Sequence, residues 1–141
     1  MNKYRIEEIY GDGYERWAKV KRDDNRKVYI HFIEYDEYLL NNDNSIKRKK
    51  GDIIIGNLKI ALVTEYKIIS NKDSGYIQNI DKSSNITARA RVKKIEETDK
   101  IICIVKGLAD DIIIEFEGDV EIEIDTMIEI NGSLEIDISE I

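Results

Sequence analysis

From Ile128 to Ile138 the chain alternates: Ile128, Ile130, Gly132, Leu134, Ile136 and Ile138 share one parity, and Glu129, Asn131, Ser133, Glu135 and Asp137 share the other. A period of two is the mark of a strand with one buried face. Asn131-Gly132 is also a strong hairpin signal, but a two-residue turn there would oppose Ile130 to Ser133, Glu129 to Leu134 and Ile128 to Glu135. Directly opposed residues share a sheet face, so each pair would mix an apolar with a polar side chain. One unbroken strand with an inward glycine satisfies every position. A twin precedes it, in which Ile54, Gly56, Leu58, Ile60 and Leu62 share a parity. Inward glycines suit a sheet that bends over its own core.

The rest of the chain repeats this pattern in shorter pieces. Tyr4 to Tyr10 and Tyr14 to Arg22 read as strands separated by the turn signal Gly11-Asp12-Gly13. In the second, Tyr14, Arg16, Ala18, Val20 and Arg22 share one face, and Trp17, Lys19 and Lys21 the other. Asp23 to Arg26 is a turn, and Lys27 to Ile33 a strand with Val28, Ile30 and Phe32 inward and Tyr29 and His31 outward. Tyr35, Tyr38 and Leu39 follow helical spacing, predicting a short helical turn over 34–40. Tyr66 to Ile69 continues the first glycine strand, and a polar loop follows. Ile86 to Val92 alternates until the phase slips at Lys93-Lys94, as at a β-bulge. Ile101 to Lys106 is apolar on both faces and reads as a central strand. Ile112 to Glu117 and Asp119 to Asp125 alternate again.

Seven to nine strands and little helix predict an all-β fold, a small, mostly antiparallel barrel of OB-like architecture. The 141 residues suit one compact β domain, 1–141, or two related half-modules, 1–69 and 84–141, joined by a polar loop 70–83. The second option rests on the offset of 76 that relates Gly56 to Gly132 and Leu58 to Leu134.

Charge separates the two halves. The net charge is −7, but residues 1–72 hold 15 basic and 12 acidic side chains (+3), whereas residues 73–141 hold 7 and 17 (−10). No Lys or Arg occurs from Gly107 onward. An acidic protein is a poor binder of phosphate backbones, so only the first half suits that role. Proline is absent, no window approaches a membrane span, and the amino terminus has no signal-like apolar run. A cytoplasmic location is the default expectation. Cys103, the only cysteine, lies in an apolar run and is expected to be a buried, inert thiol.

Eight of the eleven aromatic residues fall in the first forty positions, interleaved with Arg16, Lys19, Lys21, Arg22 and Lys27. Exposed aromatic rings stack on bases while neighbouring cations meet phosphates. Val28-Tyr29-Ile30-His31-Phe32, followed by Lys49-Lys50-Gly51-Asp52 before a strand, resembles the cold-shock type of OB barrel over roughly residues 4–64. The Gly-aromatic motif of that family is missing, since Gly13-Tyr14-Glu15-Arg16-Trp17 stands in its place. The resemblance implies Trp17, Tyr29 and His31 as base-stacking groups. Against it stands the expectation that these rings fill a core or contact the second half. The ligand-binding candidates are Trp17, Lys19, Lys21, Tyr29 and His31.

Asp119, Glu121, Glu123 and Asp125 would line one strand face. A flat row does not wrap a cation, so the expectation is a solvated face that blocks edge aggregation or docks on a basic partner. Arg89, Arg91 and Lys93 are expected to pair with Glu115 and Glu117. One histidine and one cysteine make neither a triad nor a zinc site, and no phosphate-cradling glycine loop is present. No catalytic residue, metal or cofactor is expected. The sequence is read as a non-enzymatic binding or assembly module whose partner is another protein, through Tyr-rich anchors and an acidic face. Single-stranded nucleic acid on the first half is the alternative.

Overall fold

The computed structural model describes residues 2–34, 39–40, 44–45, 48–70 and 73–139. They form an all-β protein with strands β1 (Asn2–Asp12), β2 (Glu15–Lys21), β3 (Lys27–Ile33), β4 (Leu39–Leu40), β5 (Asn44–Ser45) and β6 (Ile53–Val63). The chain continues through β7 (Tyr66–Ile68), β8 (Gly75–Ile77), β9 (Asn85–Glu97), β10 (Lys100–Val105), β11 (Ala109–Phe116) and β12 (Met127–Ile138). Helix is absent among the described residues, and none therefore is long and apolar enough to cross a membrane.

Two compact units divide the chain, and neither is a contiguous half: unit 1 holds residues 1–57, 80–84 and 135–141, and unit 2 holds 58–79 and 85–134. In unit 1, β1, β2 and β3 form an antiparallel meander. The start of β6 pairs antiparallel with β1, from Asn2 opposite Gly56 to Arg5 opposite Ile53. The end of β12 runs parallel to β3 at Glu135 and His31. Beyond β12, Ser139 N–H donates to Ile55 O at 2.8 Å. The core is Tyr4, Ile6, Ala18, Val20, Val28, Ile30, Phe32, Ile54 and Ile136, the inward parity of each strand.

Unit 2 repeats this scheme. Strands β9, β10 and β11 make an antiparallel meander, the start of β12 pairs antiparallel with β9, and the end of β6 runs parallel to β11. Short β7 adds to β12 and β8 to β9. The core includes Ile60, Ala90, Ile101, Ile112, Ile114, Ile128 and Ile130, none more than 1% exposed.

The glycine strands run through as single strands, and the turn reading of Asn131-Gly132 is excluded. Their glycines allow close approach. A Cβ on Gly132 would lie 2.6 Å from Ala61 O, and one on Gly56 would collide with Asp137 O. The two contacts are equivalent at the offset noted in the sequence, since 132 − 56 = 76 and 137 − 61 = 76. The bulge is also present: Ile102 faces Lys94 and Cys103 faces Val92, which skips Lys93.

Three expectations need correction. Leu39-Leu40 is strand and not helix, while 35–38 lie outside the described residues. Tyr66 to Ile69 does not prolong β6. Leu62 takes a left-handed φ of 59°, Thr64 and Glu65 leave the strand, and β7 pairs separately with β12. The segment 117–126, expected to carry a strand over Asp119–Asp125, is irregular. Val120 N–H donates to Thr98 O and Asp125 N–H to Val92 O, which ties it down one bond at a time.

Candidate functional site

The outer face of β1, β2 and β3 in unit 1 holds all five ligand-binding candidates. Alternation sends Ala18, Val20, Val28, Ile30 and Phe32 into the core and leaves Trp17, Lys19, Lys21, Tyr29 and His31 half-exposed on the opposite face. Strand register sorts the face into rows. Tyr10 opposes Trp17, Trp17 opposes His31, and His31 opposes Glu135, giving one row across four strands. The next row is Glu8, Lys19 and Tyr29, and the third is Arg5, Lys21 and Lys27. The bulge at Glu7 keeps Glu8 in phase.

The first row is a connected cluster. The rings of Trp17 and His31 lie 5.3 Å apart, tilted by 50°. His31 Nδ1 sits 2.8 Å from Glu135 Oε2 and 2.9 Å from Oε1, and Nε2 sits 3.2 Å from Glu15 Oε1. The bond to Glu135 raises the His31 pKa above its ordinary 6.5. Partial burial opposes that rise, and the charges of Glu135 and Glu15 add to it. The hydrogen bond and both neighbouring charges favour the protonated ring. In the second row Lys19 Nζ stands 5.7 Å from the Tyr29 ring centre, and the Tyr29 hydroxyl donates to Asp81 at 2.5 Å. Lys82 Nζ lies 5.1 Å above the Tyr10 ring, and the Tyr10 hydroxyl donates to Glu8 at 2.8 Å. These carboxylates raise both phenol pKa values, that of Tyr10 to about 12, so both hydroxyls stay protonated donors.

Unit 2 holds the same row without the chemistry. There Lys94 opposes Ile102, Ile102 opposes Ile113, and Ile113 opposes Lys59. The pairing scheme is therefore satisfied by aliphatic and lysine side chains. Aromatic residues in unit 1 are not a requirement of the fold.

Residues that complete the cluster were not legible beforehand. Glu135 lies 104 positions from His31, and Asp81 lies 52 from Tyr29. No local pattern links them. Inside the strand layer Arg16 is only 1% exposed; its Nη1 donates to Gly13 O and Glu15 O, while Nε and Nη2 have no partner. Glu34, also buried, pairs with Arg48 at 2.8 Å. Tyr14, which shares the parity of Ala18 and Val20, is 51% exposed in the turn before β2.

In unit 2, Asp119, Glu121, Glu123 and Asp125 are all exposed but share no strand face, because their segment is irregular. Asp119 accepts from Thr98 Oγ1 at 2.8 Å, and Asp125 holds a left-handed φ of 69°. Two members of the basic stripe of β9 are ion-paired, with partners other than those expected: Arg89 with Glu129 at 3.2 Å and Lys93 with Asp111 at 2.6 Å, whereas Glu115 meets Lys59 at 2.8 Å. Cys103 is fully buried, and burial pushes its thiol up to about 12, out of reach as a nucleophile. Among the described residues no three His, Cys, Asp or Glu side chains converge on a metal position. Comparison with protein-family models, with curated proteins and with solved structures found no match to this chain.

Proposed function

We propose that the chain is a non-enzymatic binding module of two OB-type barrels, and that the outer face of β1–β3 in unit 1 recognises a protein partner. The OB reading is supported by the pairing scheme of each unit: a three-strand meander whose first strand takes an antiparallel neighbour and whose third takes a parallel one. The equivalent glycine contacts support two related half-modules. The observation that carries the functional reading is the row Tyr10–Trp17–His31–Glu135, which unit 2 builds from Lys94, Ile102, Ile113 and Lys59 instead. Half-exposed aromatic residues are typical interface anchors. Glu15, Glu135 and Asp81 around these rings suit a basic side chain of a protein.

Affinity capture tests this by comparing the chain with its Trp17→Ala, Tyr29→Ala variant. Proteins retained by the first and lost by the second are the expected result; an identical set on both would end the proposal. Single-stranded nucleic acid is the second reading, favoured by the basic row Arg5, Lys21 and Lys27. Oligonucleotide binding that weakens steeply with salt would establish it in place of the first.

A further inference from the structure

The basic row belongs to a second feature of unit 1, at the end of the β1–β2 ladder remote from Tyr10 and Trp17. An open depression of about 770 Å³ is lined there by Lys3, Arg5, Lys21 and Arg22 together with Ile53 and Ile55. Its acidic members are Glu7 and Asp23, so the lining carries 4 − 2 = +2 in a protein of net −7. Glu7 is engaged by Lys27 at 3.5 Å. Arg5 and Lys21 stand directly opposite each other, and Lys21 opposite Lys27. Like charges in direct opposition destabilise a sheet, and among the described residues no carboxylate lies within ion-pairing distance of Arg5 or Lys21. A row of this kind is relieved by an anion.

Tyr4 touches this depression only from the core side, where it is 1% exposed. Half-exposed Ile55 and 49% exposed Ile53 add an apolar surface beside the cations.

We propose that this depression binds a small phosphate-bearing ligand of mononucleotide size, its phosphate against Arg5, Lys21 and Lys3 and its planar body against Ile53 and Ile55. The volume lies in the range of roughly 300–1,000 Å³ typical of small-molecule sites. This site is separate from the aromatic row, and its fate does not depend on the protein partner.

The test is calorimetric titration of the full chain at low salt with two probes, pyrophosphate and adenosine monophosphate, and with a single-stranded oligonucleotide. Saturable binding of adenosine monophosphate is expected, with pyrophosphate competing. Lys21→Gln should weaken it about tenfold, the loss of one charge-assisted contact. Lys94→Gln in unit 2 serves as a control of equal charge change and should leave affinity unaltered. No binding at millimolar probe, or equal weakening by Lys21→Gln and Lys94→Gln, overturns the proposal. Binding of the oligonucleotide alone overturns it too, in favour of a nucleic-acid strand.

Discussion

At the scale of single residues, His31 and Arg16 show opposite outcomes of putting a charge on or under a sheet. His31 gains Glu135 and Glu15, and its pKa rises above 6.5. A histidine whose folded pKa is raised stabilises the protein fully below its unfolded value, and that contribution disappears as pH climbs through the folded value. The stability difference between the chain and a His31→Gln variant should therefore be largest in mildly acid solution and shrink as pH is raised past 6.5. Urea unfolding at a series of pH values measures it, and a constant difference would contradict the His31–Glu135 assignment. Arg16 has two nitrogens, Nε and Nη2, without a hydrogen-bond partner inside the structure. Since a buried unpaired charge is costly and an apolar replacement often is not, Arg16→Met should cost less than about 1 kcal/mol or stabilise, as read from the same unfolding curves. The inward parity of Arg16 was legible in the alternation of β2; the missing partner was not, because partners come from other strands.

At the scale of the element, alternation located strands well and partners poorly. It placed β3, the through-running β12, and the bulge at Lys93, each of which depends on the chain's own side-chain period. It failed at Asp119–Asp125, where the same Glu-Ile rhythm makes no strand. The ladder of β12 on β9 stops at Met127 and Arg91, and just before it Asp125 takes a left-handed φ of 69°, which turns the chain out of the extended conformation. Alternation reports amphipathicity, and a strand also requires backbone that stays extended along its partner. The helical spacing of Tyr35, Tyr38 and Leu39 likewise gave way at Leu39-Leu40, which pair with β5. The inward glycines were legible as bends, but not the carbonyls that press on them. Gly56→Ala and Gly132→Ala force a methyl onto a backbone oxygen. Each should lower stability by about 1–3 kcal/mol, seen as a reduced urea midpoint; a neutral effect at both would mean that β6 and β12 do not approach as described.

At the scale of the whole molecule, β6 and β12 each contribute one half to unit 1 and the other to unit 2. Each unit thus has strands that the other also holds in place, and the two are expected to unfold together. Trp17, the sole tryptophan, reports unit 1. Ile114→Ala, a fully buried change in unit 2, should cost about 2–5 kcal/mol and shift the Trp17 fluorescence transition along with the far-ultraviolet circular dichroism signal. A fluorescence midpoint left in place would show the units to be independent.

The division of β12 also sets an order in time. During synthesis the amino-terminal part of a chain is available to fold first, so β1, β2 and β3 leave the ribosome more than a hundred residues before Glu135. Until then His31 lacks the Glu135 carboxylate, β3 lacks its parallel neighbour, and the Trp17–His31 row is exposed along an open edge. The period before residue 138 emerges is therefore when unit 1 is most prone to pair with the wrong strand.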